Sequence, residues 1–420
     1  MSPLLAAAGA VLSACVAVWS TQGDQTERIP SHLFLYALAF AAYLTALHAG
    51  RGISVRGLRL AVGLSLLWRA ALVMTTPLLS DDIYRYVWEG RIQRHGGNPY
   101  AWSDRPDAPK WEALHDDVWE RVNHKNYTAI YPPLWQLTAR TVVALRDSVT
   151  AMKAFSVLCE ALMLAALARL LRLRGLPRER LLVAAWSPLA LVEIAGSGHN
   201  EALGLLFLIL SLVALEQRRP LLSALAAALA FQAKLVPGLV AGAWWRRYRA
   251  WHLLAAGGLA GLLVVPYARA ESGLWRSLGK YGQYWVFNET LFAPLAAAVG
   301  DHDKAVAIAA SLVFIVAVVL GARRGTTPDA AALGVLAAWL LLTPNVLPWY
   351  ALWFVPLLAL RETPAVLLFT GTAALAYLVY PGWLAGGPWQ VPWSVRALEY
   401  GPCLVVLAVD RLRGSRKARA

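Results

Sequence analysis

Charge is scarce in this chain: Asp, Glu, Lys and Arg make up 15% of 420 residues, while 58% are apolar. That little charge cannot clothe a soluble protein of this size, so the bilayer must serve as solvent. Long polar stretches are also lacking. The longest lies between Leu79 and Tyr131, which excludes a separate soluble module. Only Cys15, Cys159 and Cys403 carry thiols, each inside an apolar run and without CxxC spacing, which excludes a disulfide or thiolate-metal framework. Internal repeats, heptads and low-complexity linkers are missing. Leu12-Ser13-Ala14-Cys15 resembles a lipoprotein cleavage box, but no Lys or Arg precedes it and apolar residues follow, so it reads as part of an uncleaved first span.

What charge there is has a pattern. The net charge is +14, yet the arginines sit in short clusters between apolar runs: Arg51/Arg56/Arg59, Arg172/Arg174/Arg178/Arg180, Arg218/Arg219, Arg246/Arg247/Arg249, Arg323/Arg324 and Arg411/Arg413/Arg416/Lys417/Arg419. This is the signature of cytoplasmic loops, not of a nucleic-acid surface. Many of the 19 tryptophans stand near segment ends, as interfacial belts require. The chain reads as an all-α polytopic membrane protein of about 12–14 spans, one domain over 1–420, with a large first outer loop at 79–149. Spans are expected at 4–20, 31–48, 58–78, 150–171, 181–197, 201–215, 251–267, 303–321, 329–343, 349–360, 364–380 and 396–410, with a short hairpin at 221–245 turning near Lys234. Residues 133–146 are too short to cross and are laid along the outer interface.

The stretch Ser80-Asp81-Asp82-Ile83-Tyr84-Arg85 through Asn98-Pro99-Tyr100 is the richest in chemistry. It predicts a helix capped by Ser80 and ending near Arg94, with Tyr84, Val87, Trp88 and Ile92 forming an apolar stripe and Asp82, Arg85, Glu89 and Gln93 a polar one, as on a membrane-surface helix. Acidic residues in a first turn are also favoured simply by the helix dipole. Their position argues for more, because a span leaves the bilayer there and a lipid headgroup can meet a water-soluble acceptor. Adjacent helical residues diverge by about 100°, so Asp81 and Asp82 must play different parts.

One base suits one chemistry, sugar transfer from a lipid phosphate. A glycosidase needs two carboxylates because its leaving group must be protonated; a phosphate departs as a stable anion and needs cations. Arg85, His199 in the turn Gly196-Ser197-Gly198-His199-Asn200-Glu201, and Lys234 are the candidate phosphate ligands. A plain polar hairpin tip is the simpler reading of His199, but a His-Asn-Glu tip beside intramembrane Glu193 tilts it toward function. An ionisable Lys234 in an apolar hairpin is costly and suggests pairing or function. Arg69 has a plainer reading, as partner to Glu160 or Glu193. Asn98, Tyr131, Asn200, Trp349 and Tyr350 are candidate substrate contacts, and the loop Arg269–Glu289 is aromatic enough to cap a carbohydrate cleft.

Asp81-Asp82 with Tyr84-Arg85-Tyr86, Asn98-Pro99-Tyr100, Arg121-Val122-Asn123-His124, Tyr131-Pro132-Pro133-Leu134, Ser197-Gly198-His199-Asn200 and Pro348-Trp349-Tyr350 together resemble the GT-C superfamily of polyprenyl-phosphate-sugar-dependent glycosyltransferases, and within it the bacterial alpha-mannosyltransferases. The resemblance covers roughly residues 58 to 360. It implies a multi-span enzyme of the bacterial inner membrane with its site on the periplasmic or outer side, a polyprenyl-phosphate donor carrying a hexose such as mannose, a glycan or glycolipid acceptor, and inversion at the anomeric carbon. The base falls on Asp81 or Asp82, with Asp81 favoured. No cofactor and no metal ligand is assigned, though the family admits a divalent cation. Glu201 stands where many relatives have Asp. The other reading compatible with intramembrane Arg69, Glu193 and Lys234 is a flippase or transporter of a lipid-linked sugar; the acidic cluster in an outer loop and the lack of inverted repeats weigh against it.

Overall fold

Helices begin where the sequence supplies caps. The side chains of Ser2, Ser54, Ser148 and Thr327 accept hydrogen bonds from first-turn amides of α1 (Pro3–Gln22), α3 (Val55–Val73), α6 (Val149–Leu173) and α13 (Pro328–Leu342). Proline opens α1, α13 and, with α2 (Ile29–Ala49) between, several others, a position where its missing N–H costs nothing. The computed structural model describes residues 2–269 and 273–417. Among them the chain is helical, with no strand. Arg419 of the C-terminal basic cluster and residues 270–272 of the aromatic outer loop lie outside the described residues.

The remaining labelled elements are α4 (Asp82–Arg94), α5 (Pro133–Leu145), α7 (Glu201–Glu216), α8 (Pro220–Ala233), α9 (Val236–Gly242), α10 (Ala250–Val264), α11 (Gly273–Tyr284), α12 (His302–Ala322), α14 (Pro364–Thr372) and α15 (Trp393–Lys417). Among the described residues six helices are long and apolar enough to cross a membrane: Pro3–Gln22, Thr26–Ala49, Val149–Leu173, Ala250–Tyr267, His302–Ala322 and Pro364–Leu384. This is a polytopic helical membrane protein. The other expected spans exist as shorter or interrupted helices. Ser187 and Pro188 break the 181–197 segment, whose last turn, Leu191–Gly196, widens to a π-helix. The chain reverses at Lys234 between α8 and α9.

Two ends of the bundle differ in chemistry. At one end the arginine loops meet: Arg174 pairs with Glu216 and Asp329, Arg180 with Glu362, Arg361 with Asp329, and Arg247 donates to the Thr326 carbonyl. At the other end lie the 80–131 loop, the His199 turn, Lys234 and the Asn345–Tyr350 turn. Between them, Arg69 of α3 grips Glu160 of α6 with two hydrogen bonds of 2.7 and 2.5 Å and donates to the Ser65 and Ala185 carbonyls. The plainer reading of Arg69 therefore holds. The main buried apolar core runs from Leu5 to Tyr377, with smaller separate clusters around Tyr100, Phe287 and Phe292.

The helix α4 departs from the surface-helix expectation. Both of its stripes are buried except for Asp82 at its start, because α5 and the 100–131 loop cover the polar one. Arg85 pairs with Glu89, Gln136 donates to Glu89, and Gln93 bonds both Gln136 and Tyr267. A buried polar stripe is tolerable only when its groups find partners, and these do.

Candidate functional site

The carboxylates at the start of α4 open into a cleft of about 1460 Å³. The helix starts one residue later than the sequence suggests: Asp81 is the cap residue, and its side chain makes no capping bond. Ser80 Oγ instead receives the Asp82 amide at 3.3 Å. The Asp81 carboxylate is thereby released to the cleft, where Asn123 Nδ2 donates to Asp81 Oδ1 and to Asp82 Oδ1, both at 2.8 Å. One amide thus bridges two adjacent carboxylates. Tyr131 Oη donates to Asp82 Oδ2 at 3.2 Å, and Tyr86 Oη to Tyr131 Oη at 3.2 Å. Asp81 is open to the cleft but deep within it. Burial there, and then the charge of Asp82, push its pKa up to about 6 against the pull of the Asn123 hydrogen bond.

Across the Tyr131 ring stands Lys234, its Nζ 5.2 Å from the ring centroid. The break between α8 and α9 turns this lysine toward α7, where it forms an ion pair with Glu201 and donates to Asn200 Oδ1 at 2.9 Å. Glu201 is fully buried, so the pair gives the charge of each a reason to be there. A roof of aromatic and polar side chains closes the cleft: Tyr281 and Tyr350 share a 2.6 Å hydroxyl contact, Asn345 donates to Tyr281, and Trp285 packs edge-on to His124 and Tyr127. One side is apolar, with Leu79, Tyr380, Trp383 and Trp389.

Of the residues singled out in the sequence, Asp81, Asp82, Tyr131, Lys234, Trp349 and Tyr350 share the cleft wall. Four others stand elsewhere or are committed. Arg85 reaches the wall, but its guanidinium is held by Glu89 and by the carbonyls of Asn123, His124 and Tyr127; it fixes the loop that carries Asn123. His199 and Asn200 lie one layer behind. The imidazole is buried flat against Trp349, ring centroids 3.9 Å apart, with Nδ1 3.9 Å from Asp82 Oδ2 and Nε2 3.5 Å from Glu193 Oε2. Asn98 is outside the cleft: its carbonyl oxygen takes the Tyr100 amide, an Asx turn, and its amide faces the Tyr267 carbonyl.

Sequence reasoning gave no role to Lys153, and none to Asn123 or Tyr281 beyond their motif or loop. Lys153 is buried and donates to the carbonyls of Leu72 and Thr75 at 2.6 and 2.9 Å, closing the C-terminal end of α3 just ahead of the acidic pair. No group of three or more metal-ligating side chains occurs among the described residues.

Residues 4–246, more than half of the chain, match the family model described as alpha-(1->6)-mannopyranosyltransferase, N-terminal domain. No curated protein and no solved structure matches.

Proposed function

The chain belongs to the alpha-(1->6)-mannopyranosyltransferase family, and on that footing we propose that its cleft transfers mannose from a polyprenyl-phosphate carrier to a glycan or glycolipid acceptor, on the outer face of the membrane and with inversion. As a family member it is a membrane-embedded glycosyltransferase that handles mannose. The observation that carries the finer reading is the Asn123-bridged Asp81–Asp82 pair facing a cleft that also holds Lys234.

In this reading the acceptor hydroxyl attacks the anomeric carbon, the bond from that carbon to the phosphate oxygen breaks, and the phosphate leaves as an anion. The hydroxyl proton passes to Asp81, whose elevated pKa suits a base working near neutrality. Asp82, already accepting from Asn123 and Tyr131, orients the hydroxyl and its neighbours. Lys234 stabilises the departing phosphate, in a place where water is largely excluded and each charge counts for more. Arg85 serves by holding the Asn123 loop, and His199 by bracing Trp349. The prenyl chain enters beside Leu79, Tyr380 and Trp383.

The test uses purified protein with mannosyl-phosphoryl-polyprenol as donor. Asp81→Asn is expected to lower transfer about 10²–10⁴-fold, with Asp82→Asn milder. A double Asp81→Asn/Asp82→Asn variant with near-normal transfer refutes base catalysis by this pair. Transfer from a nucleotide-linked mannose in the absence of the lipid refutes the donor class.

A further inference from the structure

The basic end of the bundle holds a second pocket, of about 230 Å³, that the transfer reaction does not use. Four guanidinium groups line it: Arg246 and Arg247 from the short turn after α9, and Arg323 and Arg324 from the turn between α12 and α13. The two turns are tied together, since Arg246 donates to the Ala322 carbonyl at 3.0 Å and Arg247 to the Thr326 carbonyl at 3.3 Å. Like charges far apart in sequence are thus brought to one concavity by the fold itself.

Several other arginines at this end are neutralised. Arg174, Arg180 and Arg361 each have a carboxylate partner. No carboxylate lines the four-arginine pocket, and none of these four arginines has an ion pair among the described residues. Cytoplasmic loops are basic in general, and Arg323 and Arg324 follow the C-terminus of α12, where the helix dipole favours cations. Neither fact accounts for assembling four unneutralised guanidiniums around a cavity. Guanidinium forks match phosphate oxygens two at a time, so four of them fit a pair of phosphates. The surroundings are those of a lipid boundary: Trp245, against the pocket's Gly321, and Trp251 and Leu254 on the helix α10 that follows are exposed, at 46%, 51% and 75%. Exposed indole rings of this kind sit at headgroup level, and basic pockets between membrane helices hold anionic headgroups.

We propose that this pocket binds an anion bearing two phosphates, supplied by an anionic phospholipid headgroup or by a soluble diphosphate. The full chain, purified in detergent, is titrated with cardiolipin, with phosphatidylcholine or with inorganic pyrophosphate, and bound species are counted by native mass spectrometry. Cardiolipin is expected to be retained over phosphatidylcholine. Arg323→Gln/Arg324→Gln, which removes no hydrogen bond made by those side chains, is expected to weaken retention about tenfold or more. Arg172→Gln/Arg178→Gln, in a neighbouring basic loop, is expected to leave it unchanged. Pyrophosphate retained in the same arginine-dependent way, with cardiolipin ignored, assigns the site to a soluble ligand. Equal retention of cardiolipin and phosphatidylcholine, with no pyrophosphate bound, or equal loss in both double variants, overturns the proposal.

Discussion

Gly198 is where a single methyl group should do most damage. Its φ is +85°, a conformation that costs a non-glycine residue about 1–2 kcal/mol. A Cβ there would stand 2.2 Å from Ile83 Cδ1 and 3.1 Å from Lys153 Cγ. Ile83 and Lys153 are both buried, so neither can swing into solvent, and overpacking of this kind costs about 1–3 kcal/mol. Gly198→Ala should therefore destabilise by about 2–5 kcal/mol in all. Ile83 adjoins Asp82, and a shift of about 1 Å in a catalytic group can lower the rate about 100-fold. The control is Gly279→Ala, where a Cβ meets nothing within 4 Å and the helix should gain slightly. A second change separates the two causes: Ile83→Val deletes Cδ1, the clashing atom, and should restore part of the stability of Gly198→Ala while leaving the backbone strain. Thermal unfolding followed by size-exclusion fluorescence, with mannosyl transfer measured on the same preparations, reads all three. If Gly198→Ala melts with the wild type, or Ile83→Val gives no recovery, the reasoning from that contact is wrong.

Three further outcomes are expected. With the Asp81 pKa near 6, raised chiefly by burial and next by Asp82, the deprotonated base is lost as pH falls, so transfer should decline below about pH 6; in Asp82→Asn the neighbouring charge is gone and this acid limb should move to lower pH, and an unmoved limb argues against Asp81 as the titrating group. Lys234→Met strands the buried Glu201 charge and should destabilise by about 3–5 kcal/mol, whereas Lys234→Met/Glu201→Gln should recover stability but still use donor poorly; normal donor use in the double variant would make Lys234 a structural residue. In a cysteine-free background, an impermeant maleimide added to intact cells should label Ser103→Cys and spare Arg178→Cys, and the opposite pattern would invert the orientation.

The elements that local pattern governs were legible in the sequence, and those that depend on tertiary closure were not. Spans such as Val149–Leu173 and His302–Ala322 announce themselves by length and apolarity. The pairing of Arg69 with a carboxylate follows from the cost of a lone charge in a membrane. By contrast, nothing in periodicity says that Asn123 returns 42 residues later to bridge Asp81. The polar face of α4 carries the same pattern whether water or a neighbouring helix satisfies it, so Arg85 was read as a ligand when Glu89 and three carbonyls occupy it. Asn98 misled for a related reason, since an Asx turn and a substrate contact use the same residue type. His199 belongs near the site but one layer behind it, a distinction that only the stacking against Trp349 reveals.

The Arg69–Glu160 bond also sets a timetable for biogenesis. Its partners are separated by 91 residues, so α3 leaves the ribosome long before α6 exists. At roughly 5–20 residues per second, that interval lasts on the order of 5–20 s. An arginine opposes insertion by up to about 2.5–3.5 kcal/mol at the centre of a helix and by less toward an end, where Arg69 lies, and during those seconds Glu160 is not there to offset what remains. Holding α3 beside a polar channel until α6 arrives would spare the lipid that unpaired charge, so α3 and α6 are expected to enter it together.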